Sequence, residues 1–206
     1  MAQTRTATPA PVRGLVALLF AFLTALILAA PAWAAPQLDL VSRDTTAALP
    51  VIRKDYPVPN DGGQVFYIQR SPNANTVVYG TRVAGGQIDP KAPVSAYWRR
   101  FNTGGEAKAL GGLERRMAYG VNAQPNGDGT YRVTFRALPA KSMTLRMEGG
   151  RPALFMPMGN AEARLIYAYL DVEDGLIPSV TGLKIVGRLP SGQYVTETYR
   201  VKGGEL

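Results

Sequence analysis

From Gln64 onward the chain is a succession of short β-prone runs cut by turn residues, and that pattern restricts it to a sheet. The clearest run follows the turn Asn126-Gly127-Asp128-Gly129. There Tyr131, Val133 and Phe135 alternate with Arg132, Thr134 and Arg136. A period of two gives a strand one apolar and one cationic face. The segment 141–147 alternates in the same way, with Met143, Leu145 and Met147 on one side. Further strands are expected at 65–68, 76–83, 93–101, 153–158, 182–189 and 194–201, the last two joined by the hairpin turn Pro190-Ser191-Gly192. The segment 163–172 is almost continuously apolar, which suits a central strand buried on both faces. About eight or nine strands with short connections predict an antiparallel β-sandwich or barrel-like single domain.

Only one stretch reads as helix. Leu110, Leu113 and Met117 fall at helical spacing before Gly120, a candidate C-terminal cap. Gly111-Gly112 weakens a longer helix by about 1 kcal/mol per glycine, so a short helix over 113–118 is expected. Ahead of the β-rich domain at 64–206, residues 35–63 read as an extended lead-in arm with at most one strand near 49–53.

The first 34 residues read as a signal peptide. Arg5 and Arg13 precede an apolar run of 16 residues, then Pro31 and Ala32-Trp33-Ala34, a small-x-small cleavage site. The run is shorter than the roughly 20 residues of a permanent span. The reading is a Sec-type leader cleaved near Ala34, a periplasmic or secreted protein, and no permanent membrane span after cleavage. An uncleaved anchor is the alternative. The absence of cysteine excludes a lipoprotein, and Arg5 stands without a twin.

Composition narrows the chemistry. The 206 residues contain no histidine and no cysteine. That excludes Ser-His-Asp and Cys-His catalysis, His-ligated zinc and iron–sulfur clusters. No cofactor and no metal site is expected. The glycine pairs lack the spacing of a nucleotide-binding loop. A calcium-loop reading of 126–129 fails because Phe135 stands where the bidentate Glu belongs. Asp171-Val172-Glu173-Asp174 reads as a solvated strand end rather than a cation site. Removing the leader changes the net charge from +8 to +6, with 15 Arg and six Lys against 15 acids. For an exported protein this points away from nucleic acid. An envelope polysaccharide, an acidic lipid headgroup or a protein partner fits better.

The residues that stand out are Tyr97-Trp98-Arg99-Arg100-Phe101 and Glu114-Arg115-Arg116, with Tyr119 close behind. Aromatic and arginine side chains dominate binding hot spots and suit sugars and acidic ligands. Tyr97, Trp98, Arg99, Arg100, Glu114, Arg115, Arg116 and Tyr119 are therefore the candidate ligand-binding set, with no catalytic residue among them. Glu114 is a possible salt-bridge partner for the adjacent arginines. Arg132 and Arg136 would share a cationic face with Lys184 and Arg188 if their strands are neighbours.

Asn75-Thr76-Val77-Val78-Tyr79, Pro93-Val94-Ser95-Ala96-Tyr97-Trp98 and Leu113-Glu114-Arg115-Arg116-Met117-Ala118-Tyr119-Gly120, in that order, resemble a bacterial domain-of-unknown-function family, DUF4833. The likeness runs from Phe66 to Val201. It implies a small, often exported protein with no assigned activity. It marks Tyr97, Trp98, Glu114, Tyr119 and Gly120 as shared positions and supplies no catalytic residue. The functional reading is a non-catalytic binding or interaction module for an acidic or sugar-like ligand or a protein partner. The alternative is a carboxylate-dependent hydrolase or lyase acting on envelope material, which needs two of Glu114, Asp171, Glu173 and Glu197 in one cleft. A third reading is an assembly partner recognised by a flat apolar patch.

Overall fold

The computed structural model describes residues 37–173 and 179–202. The leader expected at 1–34 lies outside the described residues, as does Asp174. Twelve of the strands form a single sheet, and its centre is β12 (Ala161–Glu173), the long apolar run. One edge of β12 pairs antiparallel with β13 (Ser179–Arg188). The other edge changes partner partway. Residues 161–164 pair antiparallel with β11 (Arg151–Met158), and 167–170 pair parallel with β2 (Gln64–Arg70).

The change of partner falls where the register shifts between Leu165 and Tyr167. A bulge bends its strand and raises the local twist. It also lets Leu165 and Ala168, three residues apart, join the main core, while Tyr167 and Tyr169 enter a second cluster on the other face. The sheet forks there into two wings. One runs β2, β3 (Asn73–Gly80), β6 (Ser95–Arg100), β7 (Glu106–Ala109). The other runs β11, β10 (Met143–Glu148), β9 (Tyr131–Phe135), β8 (Val121–Pro125).

The wings curl until their inner faces meet. Phe66 on β2 stacks on Phe135 of β9 at 5.4 Å and 8°, and Tyr79 on β3 lies 4.3 Å from Phe135. The result is a mainly-β fold, one curled sheet forming a half-barrel. The expectation of an antiparallel sandwich or barrel needs this correction. The sheet is mixed because β2 runs parallel to β12, and a single forked sheet encloses the core.

Beyond β13 the sheet continues through β14 (Tyr194–Lys202) to β1 (Gln37–Thr46). The arm therefore contributes its strand at Gln37–Thr46 and none near 49–53. Its remaining residues lie along the outer face of β2 and β12: the Tyr167 hydroxyl donates to the Pro50 carbonyl at 2.6 Å, and Tyr56 donates to that of Ser71 at 2.9 Å. A separate two-stranded hairpin joins β4 (Val83–Ala84) and β5 (Gln87–Ile88).

The connection from β7 to β8 matters most for the site. β7 and β8 are the last strands of the two wings, so residues 110–120 bridge the open side of the half-barrel. An α-helical turn, Gly112–Glu114, runs directly into a π-helical turn, Arg115–Tyr119. The expected helix is thus present but wound wider after its first turn. Its apolar spacing does not mark a buried face. Leu110 is buried, yet Leu113 is 67% exposed and Met117 38% exposed. Tyr119 is the residue that enters the core.

Candidate functional site

The bridge is pinned to both wings by named contacts. On the first wing, the Tyr79 hydroxyl donates to the Tyr119 carbonyl at 3.0 Å, and Trp98 meets the Tyr119 ring edge-on at 5.1 Å. On the second, the Arg136 N–H donates to the Gly120 carbonyl at 2.8 Å. Gly120 has ordinary extended backbone rather than the left-handed conformation of a helix cap. Its role is spatial, since a Cβ there would overlap the Arg115 carbonyl. Only glycine lets the π-helical turn close this tightly onto the start of β8. Wide turns of this kind recur at functional sites.

Closing the turn places Arg115 and Arg116 against Arg136, just past the end of β9. The three line a groove of about 500 Å³ together with Asn122, Thr134 and Pro139. Asn122 and Thr134 are register partners on neighbouring strands. No acidic residue lines the groove, and none of the three guanidinium groups forms an ion pair among the described residues. Glu114 does not neutralise them. Its carboxylate accepts the Gly111 N–H at 2.7 Å and caps the helical turn. From Arg99 to Lys141 the chain holds eight basic residues against three acidic ones.

The structure sends the sequence-predicted residues to three places. Tyr97 and Arg99 project from the outer face of β6 and converge on Asp61. The Tyr97 hydroxyl and Arg99 Nε each lie 2.8 Å from Asp61 Oδ2, and Arg99 Nη2 pairs with Oδ1. The Arg99 guanidinium, helped by the Tyr97 hydroxyl, holds the Asp61 carboxyl below its ordinary range. Burial, with the Asp61 carboxylate beside it, pushes the Tyr97 hydroxyl up to about 12. This cluster is closed on itself.

Trp98 and Arg100 alternate to the inner face. Trp98 is only 7% exposed and packs in the core. Arg70 joins it there, with its guanidinium 5.1 Å from the Trp98 ring centroid and 3.2 Å from the Tyr119 hydroxyl. The Nε atoms of Arg70 and Arg100 are buried without a hydrogen-bond partner among the described residues. The aromatic–arginine segment at 97–101 is therefore not one exposed surface, because a strand divides its side chains between two faces.

The third place is the groove, which takes Arg115 and Arg116 and adds Arg136. A shared cationic face for Arg132, Arg136, Lys184 and Arg188 does not form, because β9 lies between β8 and β10 and β13 lies between β12 and β14. Arg188 instead lines a second groove of about 310 Å³ with Arg146, Arg164, Glu148 and Glu162. There Arg146 pairs with Glu162 at 2.7 Å and Arg164 with Glu148 at 3.4 Å.

Of the four carboxylates considered for hydrolysis, Glu114 and Glu197 are each bound at separate places, and Asp171 and Glu173 lie two residues apart on β12. Glu197 is 1% exposed, is bound by Arg43 Nε at 2.8 Å and accepts the Tyr199 hydroxyl. Lys141 Nζ donates to that hydroxyl at 2.7 Å. Burial, then the carboxylate, raises the Tyr199 hydroxyl above its ordinary value. Glu114 caps the bridge, and Asp171 and Glu173 stand near the far end of β12. No group of three or more acidic residues suited to a metal ion occurs among the described residues.

Two comparisons return nothing: neither the curated proteins nor the solved structures hold a match to this chain. The third is positive. The family model described as a domain of unknown function, DUF4833, matches residues 66–198, from the second residue-pair of β2 through the middle of β14, and so takes in both wings, the bridge and the arginine groove. The chain belongs to the DUF4833 family.

Proposed function

We propose that this protein is an exported, non-catalytic binding module whose ligand carries a negative charge and docks in the groove between the bridge and β8–β9. One observation carries the reading. Arg115, Arg116 and Arg136 converge on one groove with no carboxylate to satisfy them. Guanidinium forks match the paired oxygens of carboxylate, sulfate and phosphate. Three like charges held close together repel one another, and a bound anion relieves that repulsion. Asn122 and Thr134 add neutral polar groups beside the charges, as the hydroxyls of a sugar-like body require. The volume lies within the roughly 300–1,000 Å³ of small-molecule sites. Export rests on the leader motif at 1–34, and it favours envelope material as the source of the ligand.

The test is a calorimetric titration of the purified protein with glucose 6-phosphate, glucuronate and uncharged glucose. The two charged sugars bind and glucose does not. Replacing Arg116 and Arg136 by alanine weakens binding by about 100-fold, since a charge-assisted hydrogen bond contributes about 1.5–3 kcal/mol. Equal binding of glucose, or retention of binding in that variant, would refute the proposal.

A further inference from the structure

The bridge carries a second feature that the groove does not use. Leu113 is the most exposed large apolar residue described, and Met117 is exposed one turn later. They flank Arg115 and Arg116 in the chain, Leu113 on the α-helical turn and Met117 on the π-helical turn that follows. The apolar residues therefore project from the same short segment whose arginines line the groove. Neither belongs to the core: Leu113 is 67% and Met117 38% exposed, and the bridge makes its core contacts through Leu110, Ala118 and Tyr119 instead. A soluble sugar phosphate has no use for an exposed leucine and methionine.

We infer that the bridge is a peripheral contact for an anionic lipid surface. Leu113 and Met117 enter the acyl boundary while Arg115, Arg116 and Arg136 meet headgroup phosphates. Charge complementarity and apolar burial together are what bind an interfacial segment to anionic lipid. The geometry fits that mode. The segment is short, protrudes at the open side of the half-barrel and has no acid among its groove-lining neighbours. Its only carboxylate, Glu114, is turned back onto Gly111. No helix among the described residues is long and apolar enough to span a membrane, so the contact proposed is one of surface attachment. The inference rests on the groove reading and extends it from a soluble anion to a lipid phosphate in a bilayer.

The experiment is vesicle co-sedimentation of the purified protein with two vesicle types, phosphatidylglycerol–phosphatidylcholine mixtures and phosphatidylcholine alone. A parallel titration uses glucose 6-phosphate. The protein sediments with the anionic vesicles and not with the neutral ones. Leu113→Ser combined with Met117→Ser lowers vesicle affinity about tenfold and leaves glucose 6-phosphate binding unchanged, and that retained binding shows the variant is folded. Arg116→Ala combined with Arg136→Ala loses both activities. Binding to glucose 6-phosphate without binding to anionic vesicles overturns this inference and leaves the groove reading intact. Vesicle binding that is indifferent to the Leu113 and Met117 changes also overturns it. Loss of binding to both probes overturns the two readings together.

Discussion

Two grooves on this molecule are each lined by three arginines, and they are chemical opposites. In the smaller one Arg146 and Arg164 are matched with Glu162 and Glu148, and Arg146 also lies 3.6 Å over the Phe155 ring. Two of its three arginines are thus paired with acids; Arg188 is instead bound to the Gly192 carbonyl at 3.3 Å. In the larger one Arg115, Arg116 and Arg136 meet no acid. The difference comes from secondary structure. Arg146 and Glu148 on β10 reach across β11 to Glu162 and Arg164 on β12, over the Phe155 ring, because the pleat puts these side chains on one face. The larger groove is instead made where a π-helical turn is pressed against a strand end, and its single nearby acid is used to cap that turn. Arginine count alone is therefore a poor guide to binding; the partner of each arginine decides.

The comparison can be broken most forcefully by reversing charge. Arg116→Glu with Arg136→Glu abolishes anion binding, an effect of 100-fold or more by roughly two charge-assisted contacts, and leaves the melting temperature unchanged or slightly raised. The same reversal at Arg146 and Arg164 leaves binding intact and destabilises the fold. Removing exposed ion pairs costs only about 0–1 kcal/mol each, but reversal adds repulsion. Calorimetry and thermal melts on both variants check the pair of outcomes.

A smaller effect is expected from Gly120→Ala. The added methyl cannot coexist with the Arg115 carbonyl, so the turn must open. Overpacking of this kind costs about 1–3 kcal/mol. Affinity should fall about tenfold as Arg115 and Arg116 move away from Arg136, a change of about 1.4 kcal/mol. The comparison is sharpened further by making the second groove resemble the first. Glu148→Gln with Glu162→Gln frees two of its arginines and should create weak, salt-sensitive anion binding where none existed, visible as a second site in the titration.

The smallest effect concerns Arg99, which lines neither of these grooves and is spent on Asp61. Because the folded-state carboxyl is held low, its contribution to stability is present above the ordinary carboxylate value. It is lost as pH falls through the depressed one. The melting temperatures of the native protein and the Asp61→Asn variant should differ at pH 6 and converge as pH drops below about 4. Anion binding should be unaffected by Asp61→Asn, since Asp61 does not line the groove.

Much of the fold is legible in the sequence, for physical reasons that also explain what is not. The alternation at Tyr131–Phe135 and the apolar run of β12 announce buried strands because burial imposes the pattern. β1, β7 and β8 carry no such pattern. They lie at sheet edges with mostly exposed side chains, and only a few small or single apolar residues, Leu38, Val121 and Ala123, reach the core from them. Their positions follow from β14, β6 and β9, which local sequence does not specify. The period of two at Tyr97–Arg100 states that Trp98 and Arg100 share a face, but which face meets the core depends on β3 and on Tyr119. Arg136 joins Arg115 and Arg116 only through the Gly120–Arg136 hydrogen bond, and nothing in the spacing of 20 residues signals it. Arg70 reaches Tyr119 across a still longer separation. The bulge that forks the sheet is likewise invisible, because it falls in the uninterrupted apolar stretch 165–170.

The central claim is that unpaired arginines bind and paired arginines do not, and side-chain NMR reads each guanidinium separately. Glucose 6-phosphate would be titrated into labelled protein while the Nε–H signals of Arg115, Arg116, Arg136, Arg146 and Arg164 are followed. The account predicts saturable shifts at Arg115, Arg116 and Arg136 and stationary signals at the paired Arg146 and Arg164. Shifts of equal size in both grooves, or no shift in the larger one, would contradict it.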